Sequence, residues 1–554
     1  MAFKQKQSSL MREQNKFLSE AIKTSYETVS NEGAVKYTTT GNPFVDNFAA
    51  ASHFKEPRSY EEVAKDMSNL WSLDPNYCVQ LAIYLRLITR KSKIVTNKST
   101  EILDIQRGQG LHNEGIMRML WLALNHKPTF EANFPLYIAA GSWKDVIQML
   151  SLDLQFHGWE GRKLNWDYFY KVIKAGLTND ETSGLVLKYL PTIKVNKKCT
   201  TLESQADTII GRWVAKRLFN YENKIANYEC YRKMKSKGIA HEWQQKISKQ
   251  LYEEINFDTI SGRALMLLVN SKFLENHNLT EKYTKWITCK PVAKFTGFVF
   301  ELFAPFERSS NIANYKEITI NKQFAKLIEE QKNPTKLLVV RDTSGSMSSI
   351  AIGCNMTSFN IAKAMGIYFS EFLEGPFKNH FAEFADKCIL REWNGETPCE
   401  KFKNNNCCSY GGTNFQSVID LFIKLKKKGV KEKEFPEGIL CLSDGEFARG
   451  HYNEDSNFNL AINRLKEAGF SEEYVNSFKI ILWDIPNDFY GKPSVKFEDF
   501  ANASNFYYLS GYDPSAISFI FGGDKPEKKE PKNAEELFET AMDQEILRRV
   551  KIYK

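Results

Sequence analysis

At 554 residues the chain is too long for one hydrophobic core, so two or three domains are expected. Hydrophobic content of 42% and aromatic content of 13% are ordinary for globular protein. No run approaches the ~20 apolar residues of a membrane span, and the first eight residues lack an apolar signal core, so a cytoplasmic chain without a membrane role is expected.

Residues 1–40 are polar, with a short amphipathic stretch from Phe17 to Ile22. Residues 36–48 read as a loop entering the folded region. From about 60 to 330 the grammar is helical. Tyr77, Leu81, Tyr84, Leu85 and Ile88 form one stripe, and Ile116, Met117, Leu120, Trp121 and Leu124 another. Ile209, Ile210, Trp213, Val214 and Leu218 repeat the pattern. Pro75, Pro128, Gly141, Pro191 and Gly238 fall between the stripes. Arg107-Gly108-Gln109-Gly110 follows a polar segment rather than a strand, so it reads as a turn and not a phosphate loop. Successive helices of this kind fit a HEAT-like stack over 41–330, and Gln331-Lys332-Asn333-Pro334 marks the expected boundary.

Beyond that boundary strands alternate with helices. Leu337 to Val340 is a continuous apolar run, as a central parallel strand requires. Further strands are expected at 379–385, 388–392, 438–443, 478–483 and 505–509, with helices over 357–373, 414–428 and 457–468. This pattern predicts a doubly wound α/β domain over 335–523. A charged linker (524–532) and a terminal helix (534–553) complete the 524–554 segment.

Five small oxygen ligands fall where strands give way to loops. Asp342, Ser344 and Ser346 end the first apolar run, Thr413 follows Gly411-Gly412, and Asp444 ends the run from Gly438 to Ser443. An open parallel sheet places its ligands in the crevice at the carboxyl ends of its strands. Two carboxylates and three hydroxyls suit a hard divalent cation, Mg2+ or else Mn2+ or Ca2+. None of the five is the His or Cys that zinc or copper would favour. Each piece alone is an ordinary turn or helix cap, and their joint occurrence carries the reading. An extended loop would turn Asp342, Ser344 and Ser346 into one crevice, with Gly345 supplying a sharp turn. The ten Cys form no Cys-x-x-Cys pair, so free thiols are expected. Cys399, Cys407 and Cys408 lie close together without a His at zinc spacing.

Charge is uneven. Between Lys188 and Lys249 fourteen Lys and Arg stand against five Asp and Glu, a local excess of nine that leaves the rest of the chain at about −1 of the net +8. Lys194, Lys197, Lys198, Arg212, Lys216, Arg217, Arg232 and Lys233 are the candidate phosphate contacts within this segment. Trp213, Tyr221, Tyr228, Tyr231 and Trp243 lie among them and serve either the core or base stacking, with core packing the commoner role. Lys-rich helical faces are also common simply as solvated surface.

The set Asp342-x-Ser344-x-Ser346, Thr413 and Asp444 resembles the metal-ion-dependent adhesion site of von Willebrand factor A domains. That resemblance implies a cation with one position open to an acidic group on a partner protein. Helical repeats followed by such a domain resemble the Ro ribonucleoprotein, or TROVE-domain, family, including an uncharacterised Ro-like branch of plants, microbes and large phages. The likeness spans about 40–525. It rests on Thr40-Gly41-Asn42-Pro43, Arg107 to Gly115, Tyr137 to Asp145, Leu187 to Pro191, Gly412 to Gln416 and Ser443 to Phe447. It implies a ring of helical repeats that binds structured or misfolded RNA. The expected function is an Ro-like RNA-binding scaffold. The alternative is a metal-dependent protein-interaction or phage assembly module without RNA. An enzyme is not expected, because only Asp444 or Glu446 could act as a base beside the cation.

Overall fold

The computed structural model describes residues 27–29, 35–37, 42–50, 59–87, 93–94, 103–104, 112–194, 201–238, 242–295, 297–329, 336–351, 355–406, 411–444, 457–485, 506–510 and 534–553. The chain divides into two compact units: 57–296 with 542–554, and 1–56 with 297–541. The first is helical, and the second is built on a six-stranded sheet.

In the helical unit, Ser59 opens the Tyr60–Leu73 helix with a capping box closed by Glu62. Asp74 opens the next helix, Pro75–Leu87, its Oδ1 accepting from the amides of Asn76 (2.8 Å) and Tyr77 (3.0 Å). The single stripe expected on that helix becomes burial on every side from Cys78 to Leu87. Even Arg86 is enclosed, because Asp145 accepts from its Nε at 2.7 Å and its Nη2 at 3.1 Å. The same carboxylate accepts from the Ser142 amide (2.9 Å) and so starts the Trp143–His157 helix. A Cβ on Gly141 would lie 2.2 Å from Asp145 Oδ2 and 2.7 Å from Arg86 Nε, so no side chain fits there. The Tyr137 to Asp145 motif is therefore structural. Ile88 and the Arg107–Gly110 turn lie outside the described residues.

The expected boundary at 331–334 is displaced. Residues 297–329 pack with the sheet unit for a definite reason: Glu307 Oε1 accepts from Asn360 Nδ2 at 2.7 Å, Phe303 stacks on Phe402 at 4.6 Å, and Glu317 pairs with Lys403 at 3.0 Å. The 36–48 loop is in part a helix, Pro43–Ala50, because Asn42 Oδ1 accepts from the Phe44 amide at 2.9 Å. The single terminal helix is instead two, Ala534–Met542 and Glu545–Arg548, followed by non-helical residues 551–553.

The sheet has strands β1 Leu337–Asp342, β2 His380–Phe384, β3 Cys388–Glu392, β4 Gly438–Ser443, β5 Lys479–Asp484 and β6 Phe506–Ser510. Their spatial order is β6-β5-β4-β1-β2-β3. All neighbours are parallel except β2 and β3. Only residues 385–387 join those two, too short a link for a parallel crossover. β1, β4 and β5 are buried along their whole length, which is why each carries a continuous apolar run of four or more residues. Helix Ser358–Ser370 connects β1 to β2, and Gln416–Lys427 leads into β4. Right-handed crossovers in the two directions put helices on both faces. The chain runs outward from β1 to β3, then returns to β4 on the other side of β1. The switch point of the sheet is therefore the β1–β4 boundary.

Candidate metal centre

Asp342 ends β1 at that switch point and is fully buried. Its Oδ1 accepts from the Ser344 amide at 2.8 Å and its Oδ2 from the Ser443 hydroxyl at 2.5 Å. Ser443 is the last residue of β4, so this bond ties the two strand ends together. Asp444 follows it and is 6% exposed. Burial first, and then the charge of Asp444, push the Asp342 carboxyl up to about 7, against the opposing hydrogen bonds from Ser443 and Ser344. Two carboxylates brought together in a buried crevice are what a dication relieves.

The loop after Asp342 departs from the expected extended form. Gly345–Ser348 makes one 3-10 turn, and Gly345 has no positive φ, so the glycine is not what bends the chain. The turn still gathers the hydroxyls, because Ser344 Oγ and Ser346 Oγ lie 3.1 Å apart. Thr343 anchors the loop from beneath, its amide and its hydroxyl both donating to Phe384 O at 3.0 Å.

Thr413 reaches the same rim through β2. Asp342 is in register with Phe384, and the amide of Asn414 donates to the next carbonyl, Ala385, at 2.9 Å. Asp386 completes the clasp by accepting from the Gly412 amide at 2.9 Å. A Cβ on Gly411 would lie 2.4 Å from Asp386 Oδ2, which explains the Gly-Gly pair by close approach. Thr413 is fully buried, and among the described residues its Oγ1 has no hydrogen-bond partner. An unsatisfied buried hydroxyl costs free energy that a cation contact would offset.

The candidate donor set is oxygen alone: carboxylates from Asp342 and Asp444, hydroxyls from Ser344, Ser346 and Thr413. Among the described residues no cluster of three His, Cys, Asp or Glu competes with it. The residues fit a hard cation. Sequence reading missed Ser443, Thr343 and Asp386. Their only signal is position, each being a polar residue at or just beyond a strand end.

The basic segment is less concentrated than its count suggests. Lys194, Lys216, Arg217, Arg232 and Lys233 are exposed, Arg212 is half-buried with its guanidinium 5.9 Å from the Tyr228 ring, and Lys197 and Lys198 lie outside the described residues. Arg217 is paired with Asp167. Lys216 and Arg217 end the Leu202–Phe219 helix, whereas Arg232 and Lys233 end the Lys224–Lys235 helix. Residues 220–223 turn one helix back along the other, as in an αα-hairpin. Arg232 and Lys233 lie eight and nine residues past Lys224, about 12–14 Å along that helix from its start. Two of the aromatics pack within the helical unit, Tyr231 buried and Trp213 half-buried. Trp213 meets Trp166 edge-on at 4.8 Å, and the buried Tyr231 donates to Pro191 O at 2.7 Å. Tyr221 is exposed and stacks on Phe219, while Tyr228 and Trp243 are half-buried.

Of the thiols, Cys399 is buried, and Cys407 and Cys408 lie outside the described residues. No described helix is long and apolar enough to cross a membrane.

Residues 336–551 match a family model described as "Domain of unknown function (DUF7788)". No curated protein matches the chain. Among solved structures, the chain is similar to the "Crystal structure of Deinococcus radiodurans RO (RSR) protein" at 10% identity and a TM-score of 0.38, over 91% of this chain and 99% of that one. A likeness this loose transfers no residue roles.

Proposed function

We propose that the chain is a docking scaffold, with a divalent cation at the β1–β4 rim capturing an acidic group of a protein partner and an exposed basic surface on the helical unit holding RNA. Asp342, Ser344, Ser346, Thr413 and Asp444 would hold the cation. When bound, it supplies an open coordination position for a carboxylate. The observation that carries this reading is the meeting of Asp342 with Ser443 and Asp444 across the switch point, beside a buried Thr413 hydroxyl that no described group satisfies.

Titration calorimetry with MgCl2 and MnCl2 tests the metal half. Saturable binding that Asp342→Ala abolishes supports it, and no binding at millimolar metal sinks it. A pull-down with and without chelator then reads the partner. Protein recovered only with metal is the expected result, and recovery indifferent to chelator contradicts docking through the cation.

The RNA half rests on Lys194, Lys216, Arg232 and Lys233, all exposed. A gel-shift series over salt should show affinity falling steeply, because each phosphate contact releases a condensed cation. A flat response or no binding at low salt removes RNA from the proposal and leaves the protein-interaction reading.

A further inference from the structure

Phe156 and Trp159 face solvent where the chain is fixed from beneath. They are 49% and 37% exposed. The Trp143–His157 helix ends at Gly158, whose φ of 68° opens the turn over 158–161. A Cβ on Gly161 would lie 2.4 Å from His157 O, so the turn is tight against the helix end. The fully buried Asp153 gathers the other side of the loop. Its Oδ1 accepts from the Lys163 amide at 3.0 Å. Its Oδ2 accepts from the Leu164 amide at 3.2 Å and from Trp166 Nε1 at 2.8 Å. The exposed rings are therefore held in place before anything binds, which lowers the entropy cost of binding to them.

Arg162 adds a cation to this surface. Its guanidinium stands 3.5 Å from the centre of the Trp159 ring and 5.2 Å from that of Trp166. Among the described residues it forms no ion pair, and its Nη1 has no hydrogen-bond partner. Lys163 beside it is exposed, and Glu160 is the one acid between 156 and 163. An exposed indole next to an arginine with unused donors offers a π-face for a planar ring and N–H groups for a phosphate. Ring contacts continue from Trp159 to Trp166 at 5.4 Å, to Trp213 at 4.8 Å and to Tyr170 at 6.1 Å. The Arg217 guanidinium lies 5.3 Å from the Tyr170 ring. The aromatic surface thus runs without a break into the basic segment.

We propose that Phe156, Trp159 and Arg162 form a stacking site for unpaired bases of single-stranded RNA, with Arg162 taking the adjoining phosphate. This rests on the RNA half of the proposed function and adds to it the kind of RNA held. Bases inside a duplex keep their faces against one another, whereas unpaired bases are free to stack on aromatic side chains. The basic residues supply affinity for any phosphate backbone, and this site supplies the preference for unpaired strands.

The test titrates the full chain by fluorescence anisotropy with a labelled oligouridylate and with a ribose-phosphate strand of the same length that carries no bases. Trp159→Ala should weaken oligouridylate binding by about five- to a hundredfold, the range for one lost base stack, with no change in salt slope. Arg162→Ala should flatten the slope by about 0.7, the share of one phosphate on a single strand. Trp159→Phe keeps a π-face and should retain most of the affinity. On the base-free strand Trp159→Ala and the wild type should bind alike. Equal weakening of both strands by Trp159→Ala overturns the proposal, because the indole would then only support the loop. Undiminished oligouridylate binding after Phe156→Ala with Trp159→Ala overturns it as well, and leaves the RNA reading standing. A wild type that binds neither strand at low salt removes the RNA reading and this site with it.

Discussion

Ser443 and Asp342 stand 101 residues apart in the chain, yet the hydroxyl of one donates to the carboxylate of the other at 2.5 Å. The bond crosses the switch point of the sheet and orients the carboxylate from behind, leaving its remaining lone pairs to the crevice. An outer partner of this kind fixes a ligand without being one.

Removing that partner should weaken metal binding without abolishing it. Ser443→Ala is expected to lower Mg2+ affinity by about 10- to 100-fold, the usual size for a lost outer hydrogen bond. Asp342→Asn should leave no measurable binding. Calorimetry separates the two. Equal affinity in Ser443→Ala and wild type would mean that the hydroxyl does not orient the ligand.

The pH dependence has two opposite signs. Because the Asp342 carboxyl is raised to about 7, the folded chain holds its proton more tightly than the unfolded chain. Its contribution to the metal-free fold is complete below about pH 4 and is lost as pH rises through about 7. Cation binding needs the ionised form, so Mg2+ affinity should fall about tenfold per unit below pH 7 as metal and proton compete. The Mg2+-induced rise in Tm should accordingly be larger at about pH 8 than at about pH 5.5. A pH-independent affinity over that range would exclude Asp342 as a ligand.

In the helical unit the buried Arg86–Asp145 pair supports a stability prediction. Asp145→Ala strands the Arg86 guanidinium and removes the start of the Trp143–His157 helix. A cost of about 3–5 kcal/mol is expected, read as a drop in the urea midpoint of that unit's transition. Replacing both residues, Arg86→Met with Asp145→Leu, should cost less than the single change.

For RNA, exposed and unequal lysines give a graded outcome. Lys216→Ala combined with Lys233→Ala should reduce the log–log salt slope by about two, roughly one per phosphate contact. Arg217→Ala should change it less, because that guanidinium is already engaged by Asp167. An unchanged slope in the double variant would place the phosphate contacts elsewhere.

Much of the fold and of the candidate site is legible in the amino-acid order alone. The strand pattern from Leu337 onward is close to the observed sheet, because parallel strands buried on both faces must be continuously apolar. The five candidate oxygen donors stand out because polar residues close apolar runs at positions that would be costly to bury without a purpose. What escapes reading depends on contacts between distant segments. The antiparallel β3, the turn at Gly345–Ser348, the transfer of 297–329 to the sheet unit and the role of Asp386 are all of this kind. Fourteen basic residues suggest one patch, and the structure sets Lys216 and Arg217 on one helix and Arg232 and Lys233 on the next.

The sequence by itself determined the classes of element and the chemistry on offer: helices first, then a parallel sheet edged with hard oxygen donors. Those follow from periodicity and side-chain type, which are local. Only the tertiary structure decided that β4 returns to lie beside β1, bringing Ser443 and Asp444 to Asp342. It also decided that residues 551–553 lie along Thr129 and Asn133. Both outcomes are pairings between segments remote in the chain, selected by burial and hydrogen-bond satisfaction across the whole unit, and no local pattern encodes them.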